Sequence, residues 1–149
     1  MLPIDPDPTA PLFMGRYPFM VDGQWRMTIP SAWRFAKGAE FYFRLMRDHL
    51  RVLPRSEIER FRRWANDLPG PDRAAAHMEW GETTSQAALD KSGRLTLPSA
   101  WAEKVGIAIS TQALLVGATE YFQIWNPEAH AADAHGLRAR GRNLVEAFG

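Results

Sequence analysis

The chain contains no cysteine, so disulfides, thiolate nucleophiles and thiolate metal ligands are all excluded. No stretch approaches the ~18 consecutive apolar residues of a membrane span. The opening residues, Met1 to Pro11, carry acidic-proline steps in place of the basic and apolar regions of a signal peptide. These absences lead to the expectation of a cytoplasmic protein. Histidine is scarce and scattered, at His49, His77, His130 and His135, and the last two are five apart, not the three or four that would share a helix face. Glu57 and Glu59, two apart, point to different faces of a helix. Nucleophile-elbow, phosphate-loop and dinucleotide-binding motifs are all missing. The reading is therefore of a non-enzyme with no cofactor, no metal, no membrane partner and no small-molecule substrate.

Strong net charge is lacking too, at +1 overall, but its distribution is uneven. Residues 1–74 hold 12 Lys and Arg against 9 Asp and Glu, whereas residues 75–149 hold 6 against 8. Arginine supplies 11 of the first 12, and its planar donors suit phosphates and guanine edges. A solvated surface that happens to use arginine is the plainer alternative. With 46% hydrophobic and 23% charged residues, a chain of 149 residues fits one compact domain or two very small ones sharing a core.

What the chain does contain is a repeat. Asp22–Gly38 lies over Asp90–Gly106 at a constant offset of 68 with 8 identities in 17 positions, where roughly one is expected from average composition. The identical pairs are Asp22/Asp90, Arg26/Arg94, Thr28/Thr96, Pro30/Pro98, Ser31/Ser99, Ala32/Ala100, Trp33/Trp101 and Gly38/Gly106. Farther on, His49–Pro54 matches Tyr121–Asn126 in pattern at an offset of 72, so a whole structural unit is duplicated.

Each unit reads as strand, turn, strand and short helix. Arg16–Val21 and Ser85–Leu89 are β-prone runs entering an Asp, and Asp22-Gly23 and Lys91-Ser92-Gly93 are turn residues. Arg26–Ile29 and Arg94–Leu97 alternate polar and apolar side chains, as half-buried strands do. The proline that follows suits the first helical position, which predicts helices over Pro30–Lys37 and Pro98–Val105 closed by Gly38 and Gly106 as left-handed caps. Strand pairs follow at Phe41–Leu45 with His49–Leu53 and at Ala113–Gly117 with Tyr121–Trp125, then helices over Ser56–Leu68 and from Pro127. Trp33 and Trp101 read as packing anchors rather than base-stacking platforms. For the Asp and Arg two roles stand: contact with nucleic acid, or mutual pairing that shapes the turn.

With the duplicated Asp-x-x-x-Arg units in place, the chain resembles the MraZ family of bacterial transcription regulators. The resemblance runs from about Phe13 to about His130 and rests on Phe13-Met14-Gly15, Asp22…Arg26-Met-Thr-Ile-Pro30, Leu89-Asp-Lys-Ser-Gly-Arg-Leu-Thr-Leu-Pro98, and Leu115-Val-Gly117 followed by Gln123-Ile-Trp125. It implies an α+β, mostly β fold in which two AbrB/SpoVT-type swapped-hairpin units form one pseudo-symmetric, β-barrel-like core with short flanking helices. It also implies a ring-shaped homo-oligomer that binds double-stranded DNA at promoter repeats of a cell-division and cell-wall gene cluster, and so sits at the nucleoid. Carried over by position, the DNA-binding candidates are Arg26 and Arg94, with Arg16 a weaker one. Asp22, Gly23, Asp90 and Gly93 would shape the turns.

The division that follows is residues 1–12 as a proline-rich, disordered arm, 13–56 as unit 1, 57–83 as a helical connector, 84–128 as unit 2 and 129–149 as a C-terminal helix or tail. The arm reads as native or as the product of an upstream start codon, and the arginines at 138, 140 and 142 as part of a solvated tail. Copy one departs from the family pattern: Asp22-Gly-Gln-Trp-Arg26 puts Trp25 where Gly93 stands in copy two. Tryptophan is costly at positive φ, so Gly23 is expected to take the strained position instead. Trp25 would then pack against a neighbour, or alternatively insert at a DNA step. The rival functions are an antitoxin-like module and an oligomeric scaffold that has lost DNA binding.

Overall fold

The computed structural model describes residues 12–35, 39–132 and 136–149. The proposed N-terminal arm, apart from Leu12, and the expected cap at Gly38 lie outside them. Strands β1 (Arg16–Met20), β2 (Arg26–Thr28), β3 (Phe41–Leu45) and β4 (Leu50–Pro54) lead into helices α1 (Arg55–Asn66) and α2 (Gly70–Glu82). The second half follows with β5 (Thr84–Ala87), β6 (Arg94–Thr96), α3 (Ser99–Lys104), β7 (Gln112–Gly117) and β8 (Phe122–Trp125), and then α4 (Pro127–Ala132) and α5 (Leu137–Phe148).

Six strands form an antiparallel sheet in the order β1-β7-β8-β4-β3-β5, and β2 pairs with β6 as a separate two-stranded ribbon. The fold is therefore α+β with a mostly antiparallel sheet. The barrel-like core that the resemblance implies is corrected here, because the described strands do not close: β1 and β5 remain as edges. The physical reason lies in β2 and β6, three residues each, which run into Pro30 and Pro98. A proline has no N–H to extend a ladder, so the ribbon stays short and separate.

Alternation assigns the two faces of the sheet. Phe43, Val52 and Phe122 lie in one cross-strand row, and Leu50, Ile124 and Leu115 in another, all fully or nearly fully buried. That face packs with Met27, Ile29, Leu95 and Leu97 of the ribbon segments into one core. The opposite face carries Thr84, Arg44, Arg51, Gln123, Val116 and Arg16 in a single row. α1 and α2 cover part of it, joined to each other by Phe61 stacked on Trp80 at 4.1 Å.

Trp33 is an anchor as expected, 1% exposed, with ring contacts to Phe13, Tyr17 and Phe122. The helix expected from Pro30 is a correction. It is a single 3-10 turn, Ser31–Trp33, and Arg34 is already extended at φ −75° and ψ 131°. Phe35 stacks on Phe41 at 4.5 Å and touches Phe13, so burying this ring draws the chain out of the helix. Copy two has no aromatic there, and α3 runs to a left-handed Gly106 at φ +79°. The C-terminal segment, read as a helix or tail, is helical from Leu137 to Phe148, with no buried residue.

Candidate functional site

The two Asp-x-x-x-Arg turns are built alike. Asp22 Oδ1 accepts the backbone N–H groups of Gln24 at 2.8 Å and Arg26 at 2.9 Å, and Oδ2 accepts Arg26 Nε at 2.8 Å. Asp90 Oδ1 accepts Ser92 N–H and Arg94 N–H, both at 2.9 Å, and Oδ2 accepts Arg94 Nε at 2.8 Å. The Arg26 N–H is the main cause holding the Asp22 carboxyl below the usual carboxylate range, against the opposing effect of desolvation and with help from Gln24 N–H and the Arg26 side chain. Asp90 is lowered in the same way, first by the Arg94 N–H. Both carboxylates therefore stay ionised, and both turns keep their shape, over the neutral pH range.

The residue before each arginine is left-handed: Gly93 at φ +76° and, in copy one, Trp25 itself at φ +64°. The expected shift of strain to Gly23 does not occur, because Gly23 is not among the positive-φ glycines. Two matching bonds tie each turn to the other copy. Ile29 N–H donates to Gly93 O at 3.1 Å, and Leu97 N–H donates to Trp25 O at 2.7 Å. Because the ladder beyond the turn demands this carbonyl direction, Trp25 accepts the strained φ and packs its indole partly buried against the core.

The ribbon register places Arg26 opposite Thr96, Met27 opposite Leu95 and Thr28 opposite Arg94. Met27 and Leu95 point into the core, so Arg26, Thr28, Arg94 and Thr96 share the outward face. Arg26 and Arg94 are diagonal neighbours there, with Cα atoms about 7–8 Å apart. Their side chains are 31% and 35% exposed. Each aspartate engages Nε, and the terminal Nη groups make no hydrogen bond among the described residues. Arg16 is not brought to this patch. It lies in the row on the opposite face of the sheet, at the end of β1 away from the turn. Thr28 and Thr96 stand beside the arginines on this face, and their identity in the repeat is the sequence signal for them. The Arg34 guanidinium lies over Gly93 at the turn, which no local pattern marks.

No family model matches the chain. Among curated proteins, it is 30% identical over 121 residues to the transcriptional regulator MraZ of Mycobacterium ulcerans, covering 79% of this chain and 83% of that protein. The chain belongs to the MraZ family. A second member, from Thermomicrobium roseum, is 30% identical over 139 residues, 91% of this chain and 96% of its own length. The Mycobacterium avium member is 29% identical over 121 residues. These MraZ proteins carry the name of transcriptional regulators. Among the described residues, no helix is long and apolar enough to cross a membrane.

Proposed function

We propose that the protein is a sequence-specific regulator of transcription that binds double-stranded DNA through the outward face of the β2–β6 ribbon. The observation that carries this reading is the placement of Arg26 and Arg94 as diagonal neighbours on that face, each held at Nε by its own aspartate, with no hydrogen bond at Nη among the described residues. A major groove about 12 Å wide admits a two-stranded ribbon. Arginine forks suit guanine edges or phosphates, and threonine hydroxyls suit either bases or phosphates. The exposed ion pairs hold the arginines only weakly, so a phosphate can compete for them at little cost.

The cross-copy pairing supports a swapped-hairpin origin for the ribbon. β1 pairs with β7, β5 with β3 and β2 with β6, each strand finding its partner in the other copy. One patch of two arginines releases few counterions, so useful affinity calls for several patches acting together. A ring of subunits on evenly spaced direct repeats would provide them. The target we propose is the promoter of a cell-division and cell-wall gene cluster.

The test is a gel-shift titration on the chain's own upstream region at several salt concentrations. Arg26→Ala is expected to abolish the shift, and Arg94→Ala to weaken it and reduce the log–log salt slope by about 1. Sedimentation should find the oligomer intact in both. Unchanged binding by both variants removes the site assignment. Failure of the native chain to shift DNA at low salt points to a scaffold instead.

A further inference from the structure

The sheet face opposite the ribbon holds a feature that DNA binding does not use. Arg44 and Arg51 are direct cross-strand partners on β3 and β4. Like charges directly opposite one another destabilise a sheet. Among the described residues neither guanidinium lies within ion-pair distance of a carboxylate. Glu57, nearby on α1, is taken by Arg60 at 2.8 Å, and Glu79 on α2 reaches Arg44 only through space.

Both guanidinium groups are nevertheless fixed in position. Arg44 lies over the Trp80 ring at 4.0 Å and donates from Nη1 to Thr83 Oγ1 at 2.8 Å. Arg51 lies over Tyr121 at 4.7 Å and donates from Nε to His49 Nε2 at 3.1 Å. The space they border, between the α1–α2 pair and the sheet, has a volume of about 630 Å³. That falls within the range of small-ligand sites. Its apolar wall includes Leu53 and Trp64, and the Trp64 indole is 60% exposed.

We propose that this hollow binds a small organic anion, with a phosphate or carboxylate head between Arg44 and Arg51 and a flat apolar body against Leu53 and Trp64. The head would supply the negative charge that the facing arginines lack. Guanidinium groups already ordered by ring stacking lose little freedom on binding. A bound duplex is a poorer fit, because the hollow is concave and faces away from the ribbon.

The test uses the full chain and phenyl phosphate as probe, followed by tryptophan emission and calorimetry, with inorganic phosphate and phenol as controls. Saturable binding is expected with a Kd around 1 mM or tighter, and each control at least about tenfold weaker. Arg44→Met and Arg51→Met should each weaken phenyl phosphate by about tenfold or more, while Arg51→Lys recovers part of the loss. Should a methionine variant fail to give a cooperative melt, Arg51→Lys and Trp64→Ala carry the test, each expected to weaken binding measurably. Absence of saturable binding up to about 20 mM overturns the proposal. So does binding that all variants retain, or a loss of duplex affinity in Arg51→Met with phenyl phosphate binding unchanged. A hollow closed by a second copy, seen as concentration-dependent tryptophan emission that phenyl phosphate does not alter, overturns it as well.

Discussion

Replacing Trp25 separates two opposed effects whose sizes can be worked from the structure. The indole is partly buried against the core, and on the order of 100–150 Å² of its surface is lost to solvent for a ring of this size. At about 25 cal/mol per Å² that burial stabilises by roughly 3 kcal/mol. Against it stands the left-handed backbone at φ +64°, which costs a residue bearing a Cβ about 1–2 kcal/mol. Trp25→Gly removes both terms and adds about 0.5–1 kcal/mol of unfolded-state entropy, for a net loss of about 2 kcal/mol. Trp25→Ala loses the packing and keeps the strain, so it should lose about 3 kcal/mol. For a chain of this length each kcal/mol lowers Tm by about 2–4 °C. The glycine variant should therefore melt above the alanine variant, the reverse of the order in an ordinary strand or helix. Urea unfolding with a common m-value provides the measurement. An alanine variant as stable as the glycine variant refutes the strained backbone. A loss below about 1 kcal/mol in both refutes the packing role.

Two glycines and the buried histidine give three further expected outcomes. Gly93→Ala should cost about 1–2 kcal/mol, because φ is +76° there; the cost should persist in an Arg34→Ala background, since the exposed guanidinium can swing aside and the backbone cannot. Thermal melts of the two single variants and the double variant decide it, and full rescue by Arg34→Ala refutes the backbone argument. A Cβ on Gly117 would press into the Phe13–Met14 backbone, so Gly117→Ala should lose about 2 kcal/mol or more by calorimetry; an unchanged Tm counts against it. His49 is 5% exposed, and burial pushes its imidazole below the ordinary 6.5 despite the Asp48 bond. Its folded form resists protonation, so stability should be full above about pH 6.5 and fall as pH drops below it. The slope should flatten in His49→Gln, and a urea midpoint independent of pH between about 5 and 7 would contradict this.

Much of the fold was legible because it rests on short-range alternation. The pattern through Phe41–Leu45 and Ala113–Gly117 marks strands whose inward residues are those the core buries. The short first helix is not legible locally, because Pro30-Ser-Ala-Trp copies the start of α3 while Phe35 answers to Phe13 and Phe41, which are distant from one another in sequence. Strand exchange between the copies was equally out of reach of local pattern. So was the row that carries Arg44 and Arg51, since it exists only once β3 and β4 are in register. The arginines of the repeat were legible as candidates, but the shared face that joins them to Thr28 and Thr96 needed the ribbon.

The departure at copy one becomes intelligible when the turns are compared through the core. Residue 93 is glycine, and the Arg34 guanidinium covers it. The repeat places Ala102 at the position of Arg34, and Ala102 is fully buried in the cluster against which Trp25 packs. A small turn residue thus lies under a large side chain in one copy, while in the other a large turn residue packs against the core and the position matching Arg34 holds a small one. The two turns nevertheless keep the same backbone bonding, Ile29 N–H to Gly93 O and Leu97 N–H to Trp25 O. Trp25 is then accounted for by packing, and it leaves the outward face of Arg26 and Thr28 unaltered. What copy one loses relative to copy two is a lysine at the turn, Gly23 standing where Lys91 does. That difference acts on charge at the rim of the ribbon and leaves the placement of its arginines untouched.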